Sequence, residues 1–123
     1  MRIELLSVQP DGNPNWIEVR DAIKGGDIFA VHEANQVELG EDGRAAKISF
    51  QKADDDALIA LSQRVITGWS FQGVPLPQTF AQAKGVLSDL EGPDLKKFRA
   101  EMKPLLDLVR NDEQPDPKTP STD

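Results

Sequence analysis

The run Asp54-Asp55-Asp56-Ala57-Leu58-Ile59-Ala60-Leu61-Ser62-Gln63-Arg64-Val65-Ile66-Thr67-Gly68-Trp69 decides how the rest of the chain is read. Leu58, Leu61, Val65, Ile66 and Trp69 recur at helical spacing and make one apolar stripe. The three acidic residues ahead of the stripe suit a helix start. Free backbone N–H groups and the positive end of the macrodipole favour carboxylates there. This spacing predicts a helix that ends between Ser70 and Gly73.

Downstream, Val74-Pro75-Leu76-Pro77 must be extended, because each proline disfavours helical geometry in the residue before it. Thr79 then caps a second helix that carries Phe80, Ala83, Leu87 and Leu90 on one face, and Gly92 closes it. Pro93 suits the first turn of a third helix. Its apolar stripe is Leu95, Phe98, Met102, Leu105 and Val109, and Pro104 predicts a kink or a restart within it. From Asn111 onward no large apolar residue remains. Residues 111–123 are predicted to be a disordered, acidic, proline-rich tail, because they bury too little surface to offset their ordering entropy.

Upstream the chain reads as extended. Pro10-Asp11-Gly12-Asn13-Pro14-Asn15 is dense turn chemistry, and Trp16-Ile17-Glu18-Val19-Arg20 follows as a second strand of a small hairpin. Gly25-Gly26 marks a break. Asp27 is placed to cap a short helix from Ile28 to about Asn35, with Ile28 and Val31 on one side. Residues 36–50 read as a second hairpin around Gly40-Glu41-Asp42-Gly43. The expected fold is α+β: a small N-terminal β element and a short helix, then a three-helix C-terminal half. It forms one domain over residues 1–110, followed by the tail.

A chain of 123 residues suits one compact core. Its net charge of -7 repels phosphate backbones and anionic lipid, which argues against nucleic-acid and membrane-surface binding. With no cysteine, disulfides, thiolate chemistry and cysteine-based metal sites are excluded. The short apolar stretch from Ile3 to Val8, interrupted by Glu4, is no secretory segment, and an intracellular protein is expected.

Candidate chemistry is sparse. His32 is the single histidine, and nothing in the sequence pairs it with a nucleophile and an orienting carboxylate. Asp54-Asp55-Asp56 points in different directions on a helix and lacks the spaced carboxylates of a calcium loop. Gly40-Glu41-Asp42-Gly43-Arg44 lacks the glycine spacing and the lysine of a phosphate loop. Lys96, Lys97 and Arg99 read as a solvated helix face. No enzyme, metal or cofactor is expected. Trp69 and Phe71 have two readings: they pack the core, or part of their surface is left for a partner protein.

The order Ile66-Thr67-Gly68-Trp69-Ser70-Phe71, then Gly73-Val74-Pro75-Leu76-Pro77, then two amphipathic helices ending in Pro104-Leu105-Leu106, resembles a known family. So does Trp16-Ile17-Glu18-Val19-Arg20-Asp21 followed by Gly26-Asp27. The family is the tail assembly chaperones of long-tailed, siphovirus-type phages and prophages of actinobacteria, and the resemblance covers most of residues 16–109. It implies a non-enzymatic protein in the cytoplasm of the bacterial host. Such a protein binds the long, helical tape measure protein before the tail tube polymerises around it. The residues expected to contact the partner or to shape the contact are Trp69, Phe71, Leu76, Phe80 and Phe98.

The family also implies a frameshifted longer product, and Asp116-Pro117-Lys118 permits a slippery heptamer if its codons allow. Two rival readings are a small structural virion protein, such as a head–tail connector or minor tail component, and an acidic mimic of nucleic acid. The second needs carboxylates arrayed on one face, whereas here they are scattered through turns and helix starts.

Overall fold

The computed structural model describes residues 1–35 and 50–113, with side chains described for 1–35 and 52–110. The element order is β1 (Arg2–Val8), β2 (Pro14–Val19), α1 (Gly25–Ala34), α2 (Phe50–Val65), β3 (Ile66–Trp69), α3 (Phe80–Asp89) and α4 (Gly92–Glu113). Among the described residues the fold is α+β, a three-stranded antiparallel sheet in the order β1-β2-β3 with four helices. The hairpin expected over 36–50 lies outside the described residues, apart from Phe50, which begins α2. Residues 114–123 of the expected tail also lie outside them, and α4 itself continues past Asn111 to Glu113.

The predicted hairpin of β1 and β2 is present, with Ile3 opposite Ile17 and Glu4 opposite Trp16. Its turn needs Gly12 at φ 90, in the left-handed region where a side chain is strained. Alternation along the strands sends Ile3, Leu5, Ile17 and Val19 into the core. The opposite face carries the Arg2 guanidinium, 3.9 Å from the centre of the Trp16 ring.

Beyond Glu4 the β1–β2 register shifts. There the Leu6 and Ser7 amides donate to one oxygen of Asp94, at 2.7 and 2.9 Å, and the Ser7 hydroxyl donates to the other. Asp94 is buried in the first turn of α4, and it staples that turn to the edge of β1. Burial works to raise its pKa, but the Ser7 hydroxyl and the two amides outweigh burial and hold it below the usual carboxylate value. Replacing Asp94 with alanine is expected to cost about 2–3 kcal/mol, because buried donors lose their acceptor. Urea unfolding measures the cost. Amide exchange at Leu6 and Ser7 should accelerate in the same variant.

The third strand was not foreseen. The predicted helix running to Ser70–Gly73 stops at Val65, and Ile66–Trp69 pairs antiparallel with β2. Two causes act together. Val65, Ile66 and Thr67 are β-branched and Gly68 is a poor helix former, so continuing the helix is unfavourable. Meanwhile β2 has a second edge to satisfy: the Ser70 amide donates to the Trp16 carbonyl at 3.0 Å, and the Arg20 amide to the Val65 carbonyl at 2.8 Å. Ile66 and Trp69 therefore reach the interior from a strand, not from a helical stripe.

The helices also correct local expectations. Helix α2 begins at Phe50, so Asp54, Asp55 and Asp56 lie inside it and do not cap it. They pair instead, with Arg110 at 2.9 Å, Arg99 at 2.8 Å and Lys52 at 2.6 Å, and two of the three partners come from α4. Helix α4 runs through Pro104 without a restart. Thr79 caps α3 as expected, its side chain accepting from the Gln82 amide. One apolar cluster draws on every element, with Phe98, Met102, Leu58, Leu61, Val31 and Val65 at its centre. Among the described residues, no helix is long and apolar enough to cross a membrane.

Candidate protein-binding surface

The five residues singled out from sequence do not form one site. Trp69, Phe71 and Leu76 form one group, Phe80 lies on another surface, and Phe98 is fully buried. Phe98 is therefore a core residue and no part of an exposed surface.

Trp69 and Phe71 stack with ring centroids 5.4 Å apart and planes tilted by 55°. The Trp69 indole N–H donates to the Val74 carbonyl at 3.0 Å. That bond holds the loop after β3 against the sheet, and Leu76 packs partly buried on the same core. These rings pack against the core, and each keeps an intermediate exposure. The polar frame behind them is satisfied. The Ser70 hydroxyl accepts from the Trp16 amide and donates to Asn15, whose amide nitrogen donates to Ser7.

Phe80 opens α3 and stays 39% exposed, enough for a partner to bury it. It lines a cleft of about 530 Å³ between α1, α2 and α3, with Ala30, Ala34 and Ala60 among the small residues of its wall. A second cleft of about 420 Å³, between α2, α3 and α4, has Leu58, Ile59, Leu87 and Leu95 in its lining. Lys52, Asp56 and Lys84 line both clefts, so the two lie side by side along α2 as a trough in two parts, with these charged side chains where the parts meet. The trough has an apolar floor and a rim of both charges. Arg99 and Asp55 pair on that rim at 2.8 Å. Such exposed pairs contribute only ~0–1 kcal/mol to stability, so a partner can exchange them at little cost.

The strongest electrostatic feature was invisible in the sequence. Asp27 is fully buried in the first turn of α1, so it is not the cap residue that its position suggested. Arg20 grips it with two nitrogens, at 2.8 and 3.0 Å, Arg64 adds a third bond at 3.1 Å, and the Lys24 amide donates at 2.8 Å. Arg20 also donates to the Arg64 carbonyl at the end of α2. The cluster ties β2, α1 and α2 together. Burial works to raise the Asp27 pKa, but Arg20, the Lys24 amide and Arg64 outweigh it and lower the value from 3.8 to about 2. A β-carbon on Gly26 would run into the Arg64 guanidinium, so glycine leaves room for that group over α1. No spacing rule announces a contact like this, because its partners come from three elements.

Among the described residues, no group of three or more potential metal-binding side chains exists. Compared with protein-family models, with curated proteins and with solved structures, the chain finds no match in any of the three.

Proposed function

We propose that the protein is a non-enzymatic tail assembly chaperone of a long-tailed phage or prophage. It binds the tape measure protein in the cytoplasm of the bacterial host before the tail tube closes around that protein. The observation that carries this reading is the trough along α2. An apolar floor edged by both charges suits an amphipathic helix, which lays its apolar stripe on the floor and its polar flanks on the rim. Long helical proteins that await assembly expose such stripes. Phe80 supplies the exposed aromatic anchor of the kind that dominates interface energies. The net charge of -7 keeps the complex soluble while the partner's apolar surface is covered.

The test is co-expression with the tape measure protein of the same genome. A soluble complex should co-purify. Phe80→Asp should lower its yield about tenfold or more, the loss expected when an anchor is replaced by a charge. The thermal melt of the free protein should hardly change, because an acid is well placed at a helix start. A partner that stays insoluble, with no complex formed, would sink the proposal. Detection of the chain in purified virions would favour a structural virion component instead.

A further inference from the structure

The free edge of β1 matches a second copy of itself. Met1 and Val19 exchange two main-chain bonds at 2.8 Å, and Ile3 faces Ile17. Odd-numbered residues at this end of β1 therefore turn their backbone groups toward β2. Arg2, Glu4 and Leu6 turn theirs outward. The Leu6 amide is taken by Asp94, which closes the edge from there on. The N–H and C=O groups of Arg2 and Glu4 remain, and among the described residues nothing pairs with them.

We propose that two copies of this chain associate through β1, antiparallel about a two-fold axis at Ile3, into one continuous six-stranded sheet. In that register Arg2 of each copy lies opposite Glu4 of the other. The Arg2 N–H donates to the Glu4 carbonyl of the second copy, the Glu4 N–H donates to its Arg2 carbonyl, and the symmetry repeats both bonds. Every free group on the edge is then matched. The side chains of Arg2 and Glu4 project from the same, outer face of the sheet, so both cross-strand pairs set opposite charges side by side, Arg2 also bonding Glu18 of its own chain at 3.3 Å, and this favours pairing. Glu4 is exposed and has no ion pair among the described residues, so it is available.

Neighbouring symmetric registers fail. An axis at Glu4 sets Glu4 against Glu4 and runs the incoming strand into Asp94, and an axis at Arg2 sets Arg2 against Arg2. The other sheet edge, β3, is four residues long and carries no charged side chain to select a copy. The net charge of -7 on each copy opposes association, so the complementarity must be local and the dimer reversible. Self-association through β1 needs no tape measure protein.

Sedimentation velocity on the full chain, from about 5 μM to about 500 μM, should show a reversible monomer–dimer equilibrium. Glu4→Arg alone and Arg2→Glu alone should each weaken self-association about tenfold, because both cross-strand pairs become like-charged. Mixing the two variants should restore dimers, since every pair is then opposite again. Thermal melts of each variant confirm folding. A wild-type chain that is monomeric throughout overturns the proposal. So does a dimer that neither variant weakens, which would use another surface, and so does a mixture that stays monomeric.

Discussion

Replacing Asp27 with alanine is expected to destabilise the protein by about 3–5 kcal/mol, the range for removing one partner of a buried charge cluster. The loss comes less from the missing bonds than from what remains. Arg20, with a side chain only 24% exposed, keeps a charge whose counter-ion has gone. The Lys24 amide loses its acceptor at the start of α1, and Arg64 is released at the end of α2. Asp27→Asn keeps the shape and removes the charge, so it should cost less, about 2 kcal/mol. Urea unfolding at neutral pH orders the two. If Asp27→Ala costs under about 1 kcal/mol, the cluster is not what holds α1 to the sheet.

The same residue predicts a pH dependence. Its folded pKa of about 2 lies below its ordinary 3.8, so its contribution is fully present above about pH 4. It is lost as pH falls through 2, when protonation of the folded state catches up with that of the unfolded state. The contribution is roughly 2 kcal/mol. Asp94 is shifted in the same direction and adds to the same acid-side loss. Wild-type stability should therefore fall more steeply between pH 4 and pH 2 than that of Asp27→Asn. Equal slopes would show that Asp27 is not the group titrating there.

Phe98→Ala is expected to cost about 3–5 kcal/mol, the usual range for emptying a buried aromatic site. Among the described residues Phe98 is the largest fully buried side chain, and it sits with Met102 in the core. A domain of this size has only about 5–15 kcal/mol of total stability, so a large part of the variant should be unfolded at 37 °C. Phe80→Ala is the contrast. The residue is 39% exposed, and loss of its ring should cost below about 1 kcal/mol. Urea midpoints of the two variants separate a core residue from a surface one. If the order is reversed, the side chains have exchanged roles and the trough loses its anchor.

Phe80 and Phe98 also mark the limit of periodicity as a guide to a site. Both sit on the apolar faces of amphipathic helices, so spacing ranks them alike. Their difference in exposure follows from helix packing: α4 places Phe98 within the central core, whereas Phe80, in the first turn of α3, lines the cleft beside α1. The trough itself arises where α2 and α3 meet α1 on one side and α4 on the other, and no single element encodes it. Trp69, Phe71 and Leu76 were easier to group, because they lie within a few residues of one another around one turn.

By itself the sequence determined the hairpin of β1 and β2, the Thr79 cap, the stripes of α2, α3 and α4, and the mixed α+β class. All of these rest on contacts between residues a few positions apart, where spacing and capping chemistry act directly. Tertiary structure decided the rest. Ile66–Trp69 became a strand because β2 had an edge to fill, which outweighed a helical stripe that otherwise matched. Asp27 became a buried anchor because Arg64, 37 residues away, folds over Gly26. Asp94 became a staple because the β1 edge, 88 residues away, offered two amides without partners. Local propensity is worth a fraction of a kcal/mol per residue, roughly. A buried donor without an acceptor costs about 1–3 kcal/mol, so where the two disagreed the long-range contact prevailed.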